Sequence, residues 1–337
     1  MQKRVTLADV AKEAGVNVST VSRCLNPATS KQVSVEMVKK VTAIAKRLDY
    51  TPNAVARGLR TKRSMTIGVI LPDLTNPIFP PIVRGVDSVL ASRGYSAFVV
   101  NTDNNQEYEE KLFNSLIDRQ VDGFIIATGH SEMGRLAKYF KQGIKTVMVN
   151  REATEVATPC VIGDDAAGIH AAVAHLVDLG HKRVLHLSGP VMFSTSKIRA
   201  KAFQQSCRTL KVSGEVIKSS AYSIDAGYEA MSKYLKEKGP TFTAVIAGND
   251  LLALGVYHAL RKNGLDCPND ISVIGFNNMP FAADFQPPMT TVSSPHFEMG
   301  AESARLLLDQ IDGREISALK ITLPVSLVVR SSTARRL

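Results

Sequence analysis

VTLADVAKEAGVNVSTVSRCLN, residues 5–26, is the stretch on which the reading of this chain turns. Thr6 is a good helix N-cap, and Asp9, three residues on, sets a carboxylate beside the unpaired N–H groups of the first turn. Leu7, Val10, Ala11 and Ala14 recur at helical spacing and make one apolar face. Gly15 supplies the permissive residue that ends this helix. Asn17 caps a second helix, Val18 to about Leu25, with Val21 and Leu25 turned inward. Two short helices joined by a Gly-containing turn form a helix-turn-helix. A third helix begins at a Ser34 cap and buries Val38, Val41, Ala45 and Leu48. Three helices of this size close a small core.

Charge sets this head apart. Between Met1 and Arg63 thirteen Lys and Arg stand against four Asp and Glu, a net of +9, whereas the rest of the 337-residue chain holds 28 against 27. A small basic module on a nearly neutral body is the footprint of nucleic-acid binding. A basic membrane anchor would need an amphipathic helix with exposed large apolar residues, which the head lacks. The length implies two or three domains, and a hydrophobic content of 45% is enough to bury real cores. Cys24, Cys160, Cys207 and Cys267 are scattered, with no CxxC and no Cys/His cluster, so buried free thiols are expected and no metal or disulfide framework. MQKRVTLADV has no apolar h-region and no stretch reaches the length of a membrane span, so a cytoplasmic protein is expected.

The head resembles that of the lac-repressor (LacI/GalR) family, whose signature runs T-x-x-D-V-A-x-x-A-G-V-S-x-x-T-V-S-R-x-L-N. The match falls on Thr6, Asp9, Val10, Ala11, Ala14, Gly15, Val16, Thr20, Val21, Ser22, Arg23, Leu25 and Asn26, with Asn17 in place of Ser. The resemblance implies that the second helix lies in the DNA major groove. Val18, Ser19 and Arg23 then face base edges, Arg23 forking onto guanine, while Thr20 and Ser22 reach phosphates. Thr6 and Asn26 belong to the same DNA-binding set. In YTPNAVARGLRTKRS, residues 50–64, Pro52 stops the third helix and only about two turns can follow, a length marginal in water. The family hinge pattern P-N-x-x-A-x-x-L falls on Pro52, Asn53, Ala56 and Leu59. It implies paired hinge helices in the minor groove, with Leu59 as a wedge between base pairs.

From Met65 onward short apolar runs such as MTIGVILPD, YSAFVVNTD and VDGFIIAT alternate with helical stretches. This alternation predicts an α/β body of two doubly wound parallel-sheet lobes, with ligands bound beyond the carboxyl ends of the strands. GxGxxG after a first strand, GxxxxGK[ST], GxSxG and HExxH are all absent, so no enzyme and no cofactor are expected. LPDLTNPIFPPIVRG, VIGDDAAGIHAAVAHLVDLGHKRVLHLSGP, AGNDLLALG and VIGFNNMPFAADFQPP are similar to the periplasmic-binding-protein-like core of the same family. Periplasmic binding proteins share that core but carry a signal peptide and no DNA-binding head.

The resemblance implies an effector pocket between the lobes. Ile78 and Phe79 would form an apolar wall, with Asp103 and Asp164 at strand ends and Phe193, Thr195 and Arg199 after LSGP. Asn249 and Asn277 complete the set, Asn277 standing where the family usually has Asp. That replacement leaves Arg199 less neutralised, so a sugar acid is expected ahead of a neutral sugar; a vestigial or nucleoside-type pocket is the alternative. The expected organisation is a head over 1–50, a hinge over 51–63 and a core over 64–337. The first lobe takes about 64–163 and 293–318, the second about 164–292 and 319–337. After a terminal strand ITLPVSLVV only RSSTARRL remains, without a leucine heptad. The expected species is therefore a homodimer on double-stranded, palindromic operator DNA, and no larger assembly.

Overall fold

A computed structural model describes residues 5–26, 29–50, 63–129, 136–153, 157–316 and 318–336. The hinge candidates Asn53, Ala56 and Leu59 lie outside the described residues. The chain divides into two compact units, 1–64 and 65–337.

The first unit holds α1 (Leu7–Ala14), α2 (Val18–Cys24) and α3 (Val35–Arg47), with a single 3₁₀ turn at Ser30–Gln32. Thr6 and Asp9 close a full capping box, the Thr6 N–H donating to the Asp9 carboxylate at 2.8 Å. Gly15 ends α1 at φ 67°, in the left-handed region where a Cβ is penalised. Asn17 sits at the N-cap of α2, but its side chain makes no capping bond, unlike Ser34, which accepts from the Met37 N–H at 3.3 Å. Val10, Ala11, Ala14, Val21, Cys24, Val41 and Ala45 are the buried centre, flanked by half-buried Leu7, Leu25, Val38 and Leu48. Arg47 pairs with Glu13 across the outside of this bundle, an exposed contact worth little.

The second unit contains two six-stranded sheets. Its first lobe is built from β1 (Thr66–Leu71), α4 (Phe79–Ser92), β2 (Ser96–Asn101), α5 (Gln106–Asp118), β3 (Gly123–Ile126), α6 (Ala137–Lys141), β4 (Thr146–Val149) and β5 (Cys160–Gly163). The chain then enters the second lobe through α7 (Asp165–Asp178), β6 (Arg183–Ser188), α8 (Ser194–Thr209), β7 (Ser213–Lys218) and α9 (Ile224–Lys238). It continues through β8 (Ala244–Ala247), α10 (Asp250–Lys262), β9 (Ser272–Asn277) and β10 (Thr290–Ser293). It returns for α11 (His296–Ile311) and β11 (Lys320–Leu323), and ends with β12 (Ser326–Val328). The first sheet runs β11-β5-β4-β3-β1-β2, all parallel. The second runs β12-β10-β9-β8-β6-β7, parallel except where β12 meets β10.

Helices cover both faces of each sheet, as the alternation of short apolar runs with helical stretches requires. Ile82, Val86 and Leu90 of α4 join Leu307 and Leu308 of α11 on one face of the first sheet, while Phe113 and Leu116 of α5 cover the other. The crossing of α4 and α11 is close because both helices present glycine there. A Cβ on Gly85 would lie 2.0 Å from the Phe297 carbonyl oxygen, and one on Gly300 2.0 Å from that of Ile82.

One boundary differs from the expectation. ITLPVSLVV is not a single strand of the second lobe: Lys320–Leu323 pairs with Cys160–Gly163 in the first sheet, and only Ser326–Val328 belongs to the second. Pro324 explains the break, because it has no N–H to continue a ladder. Ile321 and Leu323 pack on the first core, and Val325 and Leu327 on the second. The final crossing therefore falls after Leu323, not before residue 319.

Candidate nucleic-acid interface and effector cleft

On the head, α2 turns Val21 and Cys24 into the core and its other side to solvent. Ser19 and Arg23, four residues apart, share one exposed stripe, and Val18 is 47% exposed beside it. A large apolar side chain held that far out on a basic module is suited to a groove that offers methyl groups as well as charge. Thr20 and Ser22 are half-buried at the flanks. Thr6 is exposed, but its hydroxyl is engaged with the Asp9 carboxylate at 2.7 Å, so its part is to fix the start of α1. The Asn26 carbonyl closes the turn after α2, accepting from the N–H groups of Thr29 and Ser30.

In the body, a narrow cleft opens where the carboxyl ends of the two sheets face each other. Asn76 and Ile78 come from the segment after β1, Asn150 and Arg151 from the end of β4, and Asn277 from the last position of β9. Thr195 and Arg199 lie on α8, Tyr222 follows β7, and Asn249 caps α10 after β8. Strand ends are the natural source of such groups, because the chain leaves the hydrogen-bonded sheet there. Phe79 and Phe193 line an adjoining recess with Arg151 and Tyr222. Phe79 is otherwise a core residue, 1% exposed. No group of three or more His, Cys, Asp or Glu at metal-binding spacing occurs among the described residues.

Two buried arginines face this space in different states. Arg199 donates to the Asp165 carboxylate at 2.9 Å and to the Gly248 carbonyl at 2.5 Å, and its guanidinium lies 3.6 Å over the Phe276 ring. Burial raises the Asp165 pKa, and the attraction of Arg199 opposes that rise. Arg151 donates to the Thr128 carbonyl at 2.6 Å and lies 3.8 Å over the Phe193 ring. Burial pulls its pKa down to about 10.

Three expectations change. Arg199 is not left short of a counter-charge by Asn277, because Asp165 neutralises it. Asp164 does not face the cleft. It caps α7 by accepting from the Ala167 N–H at 2.9 Å and borders a groove between α7 and α8. As the N-cap residue it bends back over its own helix, which leaves the next position, Asp165, to point inward. Asp103 is exposed at φ 51° after β2, accepts from the Asn101 amide, and contributes to neither the cleft nor the recess. Ile78, Thr195, Arg199, Asn249 and Asn277 do come together, as expected. Asn76, Asn150, Arg151, Asp165 and Tyr222 went unnoticed in the sequence. Asn150-Arg151 carried a usable signal, since polar residues directly after the strand IKTVMV occupy the same kind of position as Asn249 after AVIAG.

Near the cleft, the Asp250 carboxylate accepts from the Met279 N–H at 2.7 Å and from the Thr291 hydroxyl at 2.5 Å, pinning the chain just after Asn277. Burial pushes its pKa up to about 7.

Comparison with known proteins places both regions of the chain in one family. Residues 6–53 match the model described as bacterial regulatory proteins, lacI family. Residues 64–330 match that of periplasmic binding proteins and the sugar binding domain of the LacI family. The chain is 34% identical over 334 residues to catabolite control protein A of Priestia megaterium, covering 98% of this chain and 99% of that protein. It is also 34% identical over 328 residues to the ribose operon repressor of Halalkalibacterium halodurans, covering 97% of each. The lac repressor dimer bound to operator and the anti-inducer ONPF aligns with a TM-score of 0.87 at 28% identity, over 98% of this chain and 100% of that one.

Proposed function

The chain belongs to the LacI family of bacterial regulatory proteins, and from that premise we propose that it is a repressor switched by a sugar or sugar acid. It is a DNA-binding transcription regulator, not an enzyme. In this reading it binds a two-fold symmetric operator in the cytoplasm as a homodimer. No helix among the described residues is long and apolar enough to cross a membrane.

The observation that carries the reading is the pairing of two unlike surfaces in one chain: an exposed Val18, Ser19 and Arg23 stripe on a basic head, and a buried polar cleft in a neutral body. Val18, Ser19 and Arg23 read base edges, and Thr20 and Ser22 meet phosphates. Asn53, Ala56 and Leu59 form a hinge in the minor groove, and the two Leu59 side chains wedge the operator centre. The lac repressor, solved as a dimer on its operator, supports the two-fold arrangement. Ile78, Phe79, Phe193, Thr195, Arg199, Asn249 and Asn277 surround the effector, which the sugar-binding family model for this region supports. A ligand that binds one arrangement of the lobes better shifts the dimer toward it and so changes the spacing of the paired heads.

Footprinting on the promoter that the protein binds tests this. A symmetric footprint is expected. Leu59→Ala should lose much of the specific affinity and keep nonspecific binding. A single asymmetric half-site at full affinity would contradict the reading. Sugars, sugar acids and nucleobases are then screened for their effect on operator affinity. If none changes it, the cleft is vestigial.

A further inference from the structure

We propose that Arg151 is the anion anchor of the cleft, and that the effector is a polyhydroxy monocarboxylate, a sugar acid, whose carboxylate binds this guanidinium. The proposal rests on reading the cleft as the effector site. It reaches the acid by a different arginine from the one that the sequence singles out.

Arg151 is 5% exposed, lines both the cleft and the adjoining recess, and makes no ion pair with any described residue. One guanidinium nitrogen donates to the Thr128 carbonyl, while the Nε–H is buried without a partner. A buried guanidinium normally has a carboxylate to offset its desolvation. Arg199 has that offset in Asp165. The carboxylate nearest in charge terms to Arg151 is Glu109, which is occupied by the Thr128 hydroxyl. Burial raises the Glu109 pKa, opposed by the Thr128 hydrogen bond and by the attraction of Arg151.

In the recess, Asp73 accepts from the Thr75 N–H and hydroxyl. The remaining cleft lining adds hydrogen bonds but no unpaired charge, since Arg199 is paired with Asp165 and Asn76, Asn150, Asn277 and Tyr222 are neutral. These groups suit hydroxyls, which both donate and accept. The charge count separates classes of anion. One unbalanced guanidinium matches a carboxylate at −1, whereas a phosphate monoester brings about −1.5 to −2. The planar fork of arginine also fits a carboxylate in bidentate fashion.

The position ties ligand charge to lobe closure. Arg151 belongs to the first lobe, and the Phe193 ring beneath it belongs to the second. Next to this stack the Glu152 N–H donates to the Ser194 hydroxyl, also across the lobes, at 3.2 Å. A carboxylate held by Arg151 therefore sits at a junction that exists only when the lobes meet.

Isothermal titration tests the proposal. The probes are gluconate, glucuronate and galacturonate, each beside glucose or galactose, with glucose 6-phosphate as the phosphate arm. In the wild type an acid should bind about tenfold to a hundredfold more tightly than its aldose, the range set by charge-assisted hydrogen bonds. Arg151→Gln should collapse the acid-to-aldose ratio toward one, and Arg151→Lys, which keeps the charge, should preserve part of it. Because the readout is a ratio within one preparation, a partly unfolded variant does not mimic the result. An aldose that binds as tightly as its acid overturns the proposal. So does tighter binding of the phosphate, an unchanged ratio in Arg151→Gln, or no binding by any acid. A neutral sugar that binds and alters operator affinity would leave the effector-cleft reading standing while removing the acid.

Discussion

Arg23 and Arg151 carry the same guanidinium into opposite surroundings. Arg23 projects from a short helix into solvent, where an unbound cation is well hydrated and costs nothing to keep. Arg151 is enclosed at a strand end, against an aromatic ring, with its Nε–H buried and undonated. The head can therefore meet a polyanion in many registers, driven by release of counterions, and gains specificity only from a few base contacts. The cleft works the other way. Its charge is expensive until a partner of the right size and sign arrives, so selectivity comes before affinity. Exposed charge supplies attraction, and buried charge supplies discrimination.

The largest effect that can break this comparison concerns the balanced arginine. Asp165→Ala would leave Arg199 buried without its carboxylate and should destabilise the body by about 3–5 kcal/mol in urea unfolding. Glu13→Ala, which removes the exposed partner of Arg47, should cost no more than about 1 kcal/mol. Similar losses from the two variants would mean that burial is not what separates head from cleft.

Next comes the head. Arg23→Ala should weaken operator binding by about 1–3 kcal/mol and relax selectivity at one base pair in each half-site. Binding to random DNA should fall only slightly. Equal loss on operator and random sequence would make Arg23 a phosphate contact.

These two regions also differ in how far they could be read from residue order. The head is contiguous, so its capping box, glycine stop and apolar stripes lie within about four residues of each other, the reach of helical geometry. Only the idle Asn17 side chain departs from that local reading. In the body, buried central strands such as Val245 to Ala247 announce themselves, whereas β7 is an exposed edge without a clear alternation. The cleft is harder still, since each group comes from a different strand end. Arg199 was legible as a position but not as a state. Its neutralising carboxylate lies 34 residues earlier, and which of Asp164 and Asp165 turns inward depends on cap geometry.

A more gradual effect, spread over several pH units, is expected from Asp250. Its pKa in the folded chain is about 7, above the ordinary 3.8, so the native state holds a proton that the unfolded state has released. That stability is fully present below about pH 4 and is lost as pH rises toward 7, by at most about 1.4 kcal/mol per pH unit. Thermal melts across this range should decline in the wild type and flatten in Asp250→Asn. Identical slopes would show that Asp250 is ionised throughout.

The exposed and the buried charge meet in the coupling between ligand binding in the cleft and operator binding by the head. The direct measurement is fluorescence anisotropy of labelled operator, titrated with protein in the absence and presence of saturating cleft ligand, at one fixed salt concentration. Binding in the cleft should change operator affinity by about tenfold or more, a coupling of about 1.4 kcal/mol, and should leave random-sequence DNA nearly unaffected. A ligand that binds the cleft by calorimetry but leaves the operator isotherm unmoved would contradict it.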